Sequence, residues 1–414
     1  MGHEKRLKID GRRPDWESLQ NRLVYRLEKV RVLLINRFFG GQQTPTGRML
    51  LDVAQELKRQ GHEVEVLVSK SKYAGAQGVA DSESREFKMA YVRELGGGRL
   101  FHWTGFWLRA AGKLASRRWD SCVLLTDPPF LPFAAWLTRI FRTRRQRIFW
   151  WTMDIYPEAL VSAGMLQEPG WPCRCLRRLN ELGLSQISGV VTLGRRQQQR
   201  LQTYRRWNPA ADFSTVVAPW DNRPIDRVDV AANRLLNRLA LSGKKVALYS
   251  GNLGEGHLFL PFVAAARWLH EQGRKDWQLV FVVRGAGRHE LAVRAAGLPN
   301  VTVLDYLPAA ETPDLLWSAT VHLISMKPGW EGVIVPSKLY GTVQTNAPAL
   351  FLGPLDADTA VAIEGAGRGL SLPPTATGEE VVRTLDELAT PAWRRNPQSD
   401  TTGPGRVAAF ITRV

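Results

Sequence analysis

The sequence predicts an α/β protein built from two successive Rossmann-like units, each a doubly wound parallel sheet, facing each other across a cleft. Three observations carry this expectation. Short β-branched or aliphatic runs alternate with amphipathic stretches along most of the 414 residues, the rhythm of repeated βαβ units. The opening of that rhythm occurs twice, as an apolar run entering a glycine-containing loop at Val30–Ile35 and again at Lys245–Ser250. Finally, a chain of this length has room for two domains of ordinary size.

The elements follow in order. Residues 1–29 are charged throughout and lack the apolar stretch of a signal peptide, so they read as a polar extension. VRVLLI at Val30–Ile35 has the composition of a strand buried on both faces. A loop holding Gly40 and Gly41 follows, then a helix with Leu50, Val53, Ala54 and Leu57 on one face, closed by Gly61. Further strands are expected at Val64–Val68, Cys122–Leu125, Arg147–Trp151 and Gly189–Leu193. The turn-rich Ala218–Arg227 marks the boundary, giving a first unit over residues 30–222 and a second over 223–414. The last helix is a candidate to pack back on the first unit. In the second unit, Lys245–Ser250 runs into the glycine-rich Gly251–Gly256, followed by a helix bearing Leu260, Phe262, Val263, Ala266 and Leu269. Strands at Gln278–Val283, Val301–Leu304, Val321–Ile324 and Ala349–Leu352 complete it.

Composition excludes several classes. Hydrophobic residues at 44% and charged residues at 23% are globular values, not those of a disordered or fibrous chain. Three cysteines form neither a disulfide framework nor a four-cysteine zinc site, and no histidine pair has metal-ligand spacing. No run is apolar enough to span a bilayer: Cys122–Leu137 comes nearest and is broken by Asp127, Pro128, Pro129 and Pro132. The charge is uneven. Residues 1–210 hold 36 of the 56 basic and 19 of the 39 acidic residues, so the whole net charge of +17 lies in the first half of the chain. Such asymmetry points to an anionic partner for that half.

Four segments could carry chemistry. Glycines directly after a strand let backbone N–H groups approach a phosphate, and the helix that follows adds its positive end. Gly40-Gly41 and Gly251-Asn252-Leu253-Gly254-Glu255-Gly256 fit, although neither is a GxGxxG or Walker sequence and either could be only a tight turn. In GVIVPSKLYG, Pro336 and Ser337 suggest a helix start, where Lys338 opposes the macrodipole unless an anion is bound. In WWTMDIYPE, Asp154 follows a buried strand and so stands at its carboxyl end, placed to take a proton from an acceptor hydroxyl or simply to cap a turn. Asp127 in TDPP has a weaker claim to a similar place. Of the seven histidines, only His257, at the end of the second glycine loop, reads as functional.

A fifth segment, FHWTGFWLRAAGKLASRRW, sets Trp103 and Trp107 beside a stripe of Arg109, Lys113 and Arg117 at four-residue intervals. Tryptophan next to Lys and Arg on one helix is the composition of an interfacial helix. Packing of the apolar face on the sheet, with solvated arginines, accounts for the same pattern.

Together these segments resemble glycosyltransferase family 4, with its two-domain GT-B fold. The likeness is greatest to the bacterial subgroup that builds exopolysaccharide and O-antigen units, including colanic-acid and N-acetylfucosaminyl transferases. The phrases that carry it are LLINRFFGG, LDVAQELKRQGHEVEVLVS, MDIYPEALVSAGML, LYSGNLGEGH, LPNVTVLDYLPAAETPDLLWSATVHLIS and VPSKLYG, in that order along nearly the whole chain. The resemblance implies retaining transfer from a UDP- or GDP-linked sugar held mainly by the second unit, with no cofactor and no required metal. Gly251, Asn252, Gly254, His257, Ser337 and Lys338 would meet the diphosphate, and Arg284, Gly285 and Tyr306 the base. Glu331 would lie near the sugar, while Gly40 and Gly41 would close over it. Asp154 and Lys338 would serve catalysis, Lys338 by stabilising the departing diphosphate. The acceptor would be a lipid-linked saccharide at an anionic membrane surface, which places the protein in the cytoplasm on the inner face of the cell membrane.

The chain departs from the wider family at several points. Two glutamates eight positions apart, which contact the donor there, are replaced by Val333 and Gly341, and Glu331 is two residues out of register. The usual Arg and Lys of the second glycine loop are Asn252 and His257, and a frequent His beside the aspartate is Met153. Other readings are a sugar-nucleotide epimerase of the same fold, a non-catalytic protein, or a basic nucleic-acid-binding protein. No nucleic-acid-binding motif supports the last.

Overall fold

The computed structural model describes residues 29–40, 45–70, 86–93, 98–116, 118–139, 146–205, 207, 214–221, 225–336, 339, 344–394 and 402–412. Gly41, Arg117, Ser337, Lys338 and Gly341 lie outside the described residues.

The first unit runs β1 (Arg31–Ile35), α1 (Pro45–Arg59), β2 (Glu63–Lys70), β3 (Lys88–Arg93), α2 (Arg99–Ala115), β4 (Ser121–Leu124), α3 (Phe133–Leu137) and β5 (Arg147–Trp151). It continues with α4 (Glu158–Ser162), α5 (Trp171–Leu184), β6 (Gly189–Thr192), α6 (Arg195–Gln202) and β7 (Ser214–Val216). Its seven strands are parallel, in the order β3-β2-β1-β4-β5-β6-β7.

The second unit runs α7 (Arg234–Arg238), β8 (Lys245–Asn252), α8 (Leu260–Glu271), β9 (Trp277–Arg284), α9 (Gly287–Arg294), β10 (Val301–Leu304), α10 (Thr312–Trp317) and β11 (Val321–Ser325). Then come β12 (Ala349–Leu352), α11 (Asp358–Gly365), β13 (Gly369–Leu372) and α12 (Gly378–Leu388). Its six strands are also parallel, ordered β10-β9-β8-β11-β12-β13.

The two orders share one logic. Strand succession reverses between β1 and β4 in the first sheet and between β8 and β11 in the second. Crossovers diverge there to opposite faces, and the strand ends open a crevice that suits a ligand. The two-unit, doubly wound fold is therefore as the alternation of elements predicts. The central strands are fully apolar because helices cover both faces; Val32, Leu33, Leu34 and Ile35 are all sealed from solvent.

The final helix, α13 (Thr402–Thr412), lies on the first unit. Val407, Ala408, Phe410 and Ile411 join its core, Phe410 meets Phe149 edge-on at 5.5 Å, and Ser121 Oγ donates to the Ile411 carbonyl at 2.8 Å.

Helix α2 corrects the expected membrane stripe. Phe106, Ala110 and Leu114 are fully buried on the sheet. The half-buried Trp107 donates from Nε1 to the Pro129 carbonyl at 3.1 Å and packs edge-on against Phe133. Lys113 turns inward and pairs with Glu65 of β2, a buried carboxylate that Lys88 also approaches at 3.3 Å. A carboxylate buried on a sheet face must find a cation, so Lys113 serves the fold. Trp103 is half-buried. The outward face instead presents Phe101 at 65% exposure and Leu108 at 67%, beside an exposed Arg109.

Candidate active site

Asp154 sits in the turn that leaves β5, held at both flanking peptide groups. The Met153 carbonyl accepts from Gln197 Nε2 at 2.7 Å, and the Met153 N–H donates to Thr126 Oγ1 at 2.7 Å. On the other side, the Ile155 N–H donates to the carbonyl of Val333, in the second unit, at 3.1 Å. Below the turn lies a buried polar cluster. Glu158, only 2% exposed, accepts from Arg177 Nε at 2.9 Å and from the Tyr204 hydroxyl at 2.7 Å, while Asn180 donates to the Tyr156 carbonyl. Glu158 is thus committed to the scaffold, whereas no basic side chain pairs with Asp154 among the described residues.

Asp154 is exposed at the surface, yet protein atoms crowd its carboxylate and limit its solvation. Poor solvation there, and secondarily the charge of Asp127, push its pKa up to about 6. Asp127 lies three residues beyond the end of the neighbouring strand β4. Burial raises it as well, partly offset by Arg37, whose Nη1 lies 3.6 Å from its Oδ1, and by His102. Two carboxylates in one cleft, only one of them with a cation, suit a proton acceptor beside a structural anion. A base must be ionised to work, so activity should rise with pH through a midpoint near 6. Asp127→Asn removes the like charge and should move that acid limb to lower pH, as a pH profile of kcat/KM would reveal.

The second glycine segment begins differently from the expectation of a loop at Gly251. Strand β8 continues through Gly251 and Asn252, which pair with Val283 and Arg284 of β9, so the turn proper starts at Leu253. There the backbone folds tightly: Leu253 N–H donates to the Arg284 carbonyl at 2.7 Å, and Gly287 N–H to the Leu253 carbonyl at 2.9 Å. Gly285 holds φ at 110°, and a β-carbon there would fall 2.3 Å from Asn252 Oδ1, so β9 and β8 must meet through glycine. Arg284 donates to Asp305 at 2.7 Å and lies over the Tyr306 ring at 4.7 Å, which gathers the predicted base-side residues into one group. The His257 N–H bonds the Gly254 carbonyl at 3.1 Å. His257 Nδ1 lies 2.9 Å from the Ser325 carbonyl, which only accepts, so Nδ1 carries the proton.

Residues 327–334 join these parts. Lys327 N–H donates to the Gly256 carbonyl at 2.8 Å, and a β-carbon on Gly256 would sit 2.9 Å from Trp330 and Ile334. Farther on, the Val333 carbonyl reaches Ile155. One segment thus touches the glycine turn at one end and the Asp154 turn at the other. Tyr156, Ala159 and Ala163 of the first unit pack with Trp330, Val333 and Leu339 of the second in a shared apolar cluster. Val333 is fully buried there, and Glu331 is half-buried in the same segment, bridging to Ile334.

Gly40 is buried, with φ of 65° and its N–H donated to the Gly47 carbonyl at 2.9 Å, so this donor closes its own loop. Sequence reasoning missed Thr126, Arg196, Gln197, Asp356 and Asp358. The run RRQQQR has the composition of a solvated helix surface, and nothing in it distinguishes the buried Gln197.

Comparison with known proteins agrees with this fold. Residues 46–220 match the glycosyl transferase 4-like domain. A protein of Escherichia coli K12 named as the colanic acid biosynthesis glycosyl transferase WcaI is 24% identical over 357 residues, covering 78% of this chain and 83% of its own. Pseudomonas aeruginosa WbjE, named as a glycosyltransferase, is 26% identical over 243 residues, covering 57% of this chain and 58% of its own. Among solved structures, WaaG, described as a glycosyltransferase involved in lipopolysaccharide biosynthesis, superposes with a TM-score of 0.65 at 16% identity over 92% of this chain and all of that one.

Proposed function

We propose that this glycosyltransferase, whose residues 46–220 match the glycosyl transferase 4-like domain, moves one sugar from a UDP- or GDP-linked donor to a lipid-linked or cell-surface polysaccharide precursor, retaining the anomeric configuration. The observation that carries this reading is the Ile155–Val333 hydrogen bond of 3.1 Å, which seats the Asp154 turn against the segment that also meets the second glycine turn. Asp154 serves as the acceptor-side base. The acceptor hydroxyl bonds to the anomeric carbon on the same face that the diphosphate leaves, the bond to the diphosphate breaks with its electron pair on the leaving oxygen, and Asp154 takes the hydroxyl proton. Lys338, Ser337 and the backbone donors around Gly254 stabilise the charge that develops on the diphosphate. Arg284, Gly285 and Tyr306 form the base-side wall. No metal or cofactor takes part in this scheme.

Product analysis tests it. With a lipid-diphosphate saccharide present, the reading requires a glycosylated lipid, one nucleoside diphosphate released per transfer, and an α-linkage from an α-donor. Interconversion of the sugar nucleotide without an acceptor would favour the epimerase reading instead.

A lipid-linked acceptor keeps its phosphate at the bilayer surface, and the basic first unit suits that approach. No helix among the described residues is long and apolar enough to cross a membrane. We place the contact on exposed side chains of α2, Phe101, Leu108 and Arg109. Each basic residue near an anionic surface contributes about 1 kcal/mol. Phe101→Ser, Leu108→Ser and Arg109→Glu combined should cut sedimentation with anionic vesicles several-fold. Equal sedimentation by the folded variant would remove α2 as the contact.

A further inference from the structure

Gln197, in the first turns of α6, is fully buried, and both ends of its amide are in use. Its Nε2 donates to the Met153 carbonyl at 2.7 Å, while Oε1 accepts the Leu193 N–H at 2.8 Å and lies 2.8 Å from the Thr152 hydroxyl. The preceding residue points the other way. Arg196 N–H meets the two Asp358 carboxylate oxygens at 3.2 and 3.1 Å, and its side chain reaches Asp356 through the carbonyl at 3.2 Å and the carboxylate. Asp358 opens α11 of the second unit. The fit is close: a β-carbon on Gly194 would lie 2.1 Å from the Asp358 carboxylate, and one on Gly332 would lie 2.5 Å from the Arg196 carbonyl. Residues 194–197 are therefore pinched by the second unit on one side while gripping the Asp154 turn on the other.

We propose that residues 194–197 couple the docking of the second unit to the placement of Asp154, with Gln197 as the positioning residue. This rests on the reading of Asp154 as the acceptor-side base. Of the peptide groups flanking Asp154, the Met153 carbonyl is fixed by Gln197 and the Ile155 N–H by the second unit. Releasing either lets the carboxylate drift, and a misplacement of about 1 Å costs on the order of 100-fold in rate. The donor site, built on β8 and β9, is not touched by Gln197.

The test is a double-mutant cycle on the full chain with Gln197→Met and Asp154→Asn. Gln197→Met should lower kcat about 10- to 100-fold with donor KM unchanged. If Gln197 acts through Asp154, the double variant should turn over no more slowly than Asp154→Asn alone, because the two act as a unit. Losses that multiply would make Gln197 a fold-supporting residue and overturn the proposal, as would wild-type turnover by Gln197→Met. Wild-type turnover by Asp154→Asn would overturn the acceptor reading and this proposal together, and the single variants separate that case from failure of Gln197 alone. Should Gln197→Met not fold, Asp358→Asn loosens the same segment from the second unit. It should likewise lower kcat with no further loss on the Asp154→Asn background, and multiplied losses would again contradict the coupling.

Discussion

Asp154→Asn should reduce kcat by roughly 10²–10⁴-fold, the usual worth of a positioned base, while donor binding persists. The variant should be as stable as wild type or more so at neutral pH. A carboxyl whose folded pKa is raised to about 6 binds its proton more tightly in the folded state. Its stabilising effect is fully present below the unfolded value and is lost as pH rises through 6, so at pH 7.5 the charge opposes folding. Asparagine removes that charge. Steady-state turnover beside a thermal melt separates the two effects, and near-normal kcat in a folded variant would return Asp154 to a turn-capping role.

The second large effect concerns Val333, which stands where the wider family places a donor-contacting glutamate. Val333→Glu should not restore a missing function. The side chain is fully buried in the apolar cluster shared by the two units, against Trp330 and Ala159. An unpaired carboxylate forced into such a place costs several kcal/mol, and the segment that aligns Asp154 would shift with it. The expected result is a lower melting temperature and reduced turnover. A stable variant with tighter donor binding would mean that position 333 faces the donor after all.

The sequence foretold most where physics leaves few choices. The central strands β1, β4, β5, β8, β9, β11 and β12 are buried on both faces, so their continuous apolar runs are legible without tertiary knowledge. The edge strands are less so, β10 at Val301–Leu304 being the exception. β3 exposes Lys88, Tyr91 and Arg93, β7 is only three residues long, and β13 begins with glycine; each joins its sheet through pairing that composition does not announce. Asp154 was legible because it closely follows the apolar run Ile148–Trp151 and must stand near a strand end. Gln197 was not, since a buried amide and a solvated one read alike in RRQQQR. Lys113 misled for a related reason. Four-residue spacing sets charges on one helical stripe, but only the fold shows Glu65 waiting beneath it.

The two units come together through backbone bonds and a shared apolar cluster, with the glycine turn of one and the carboxylate of the other joined by residues 327–334. The central claim is that this cleft takes a nucleotide-diphosphate sugar. Thermal stabilisation by a panel of UDP- and GDP-linked sugars tests it most directly, because a ligand at 100 times its Kd stabilises by about 2.7 kcal/mol. The account predicts that one sugar nucleotide raises the melting temperature, and does so equally in Asp154→Asn. A panel in which no sugar nucleotide shifts the melt of the wild-type protein would contradict it.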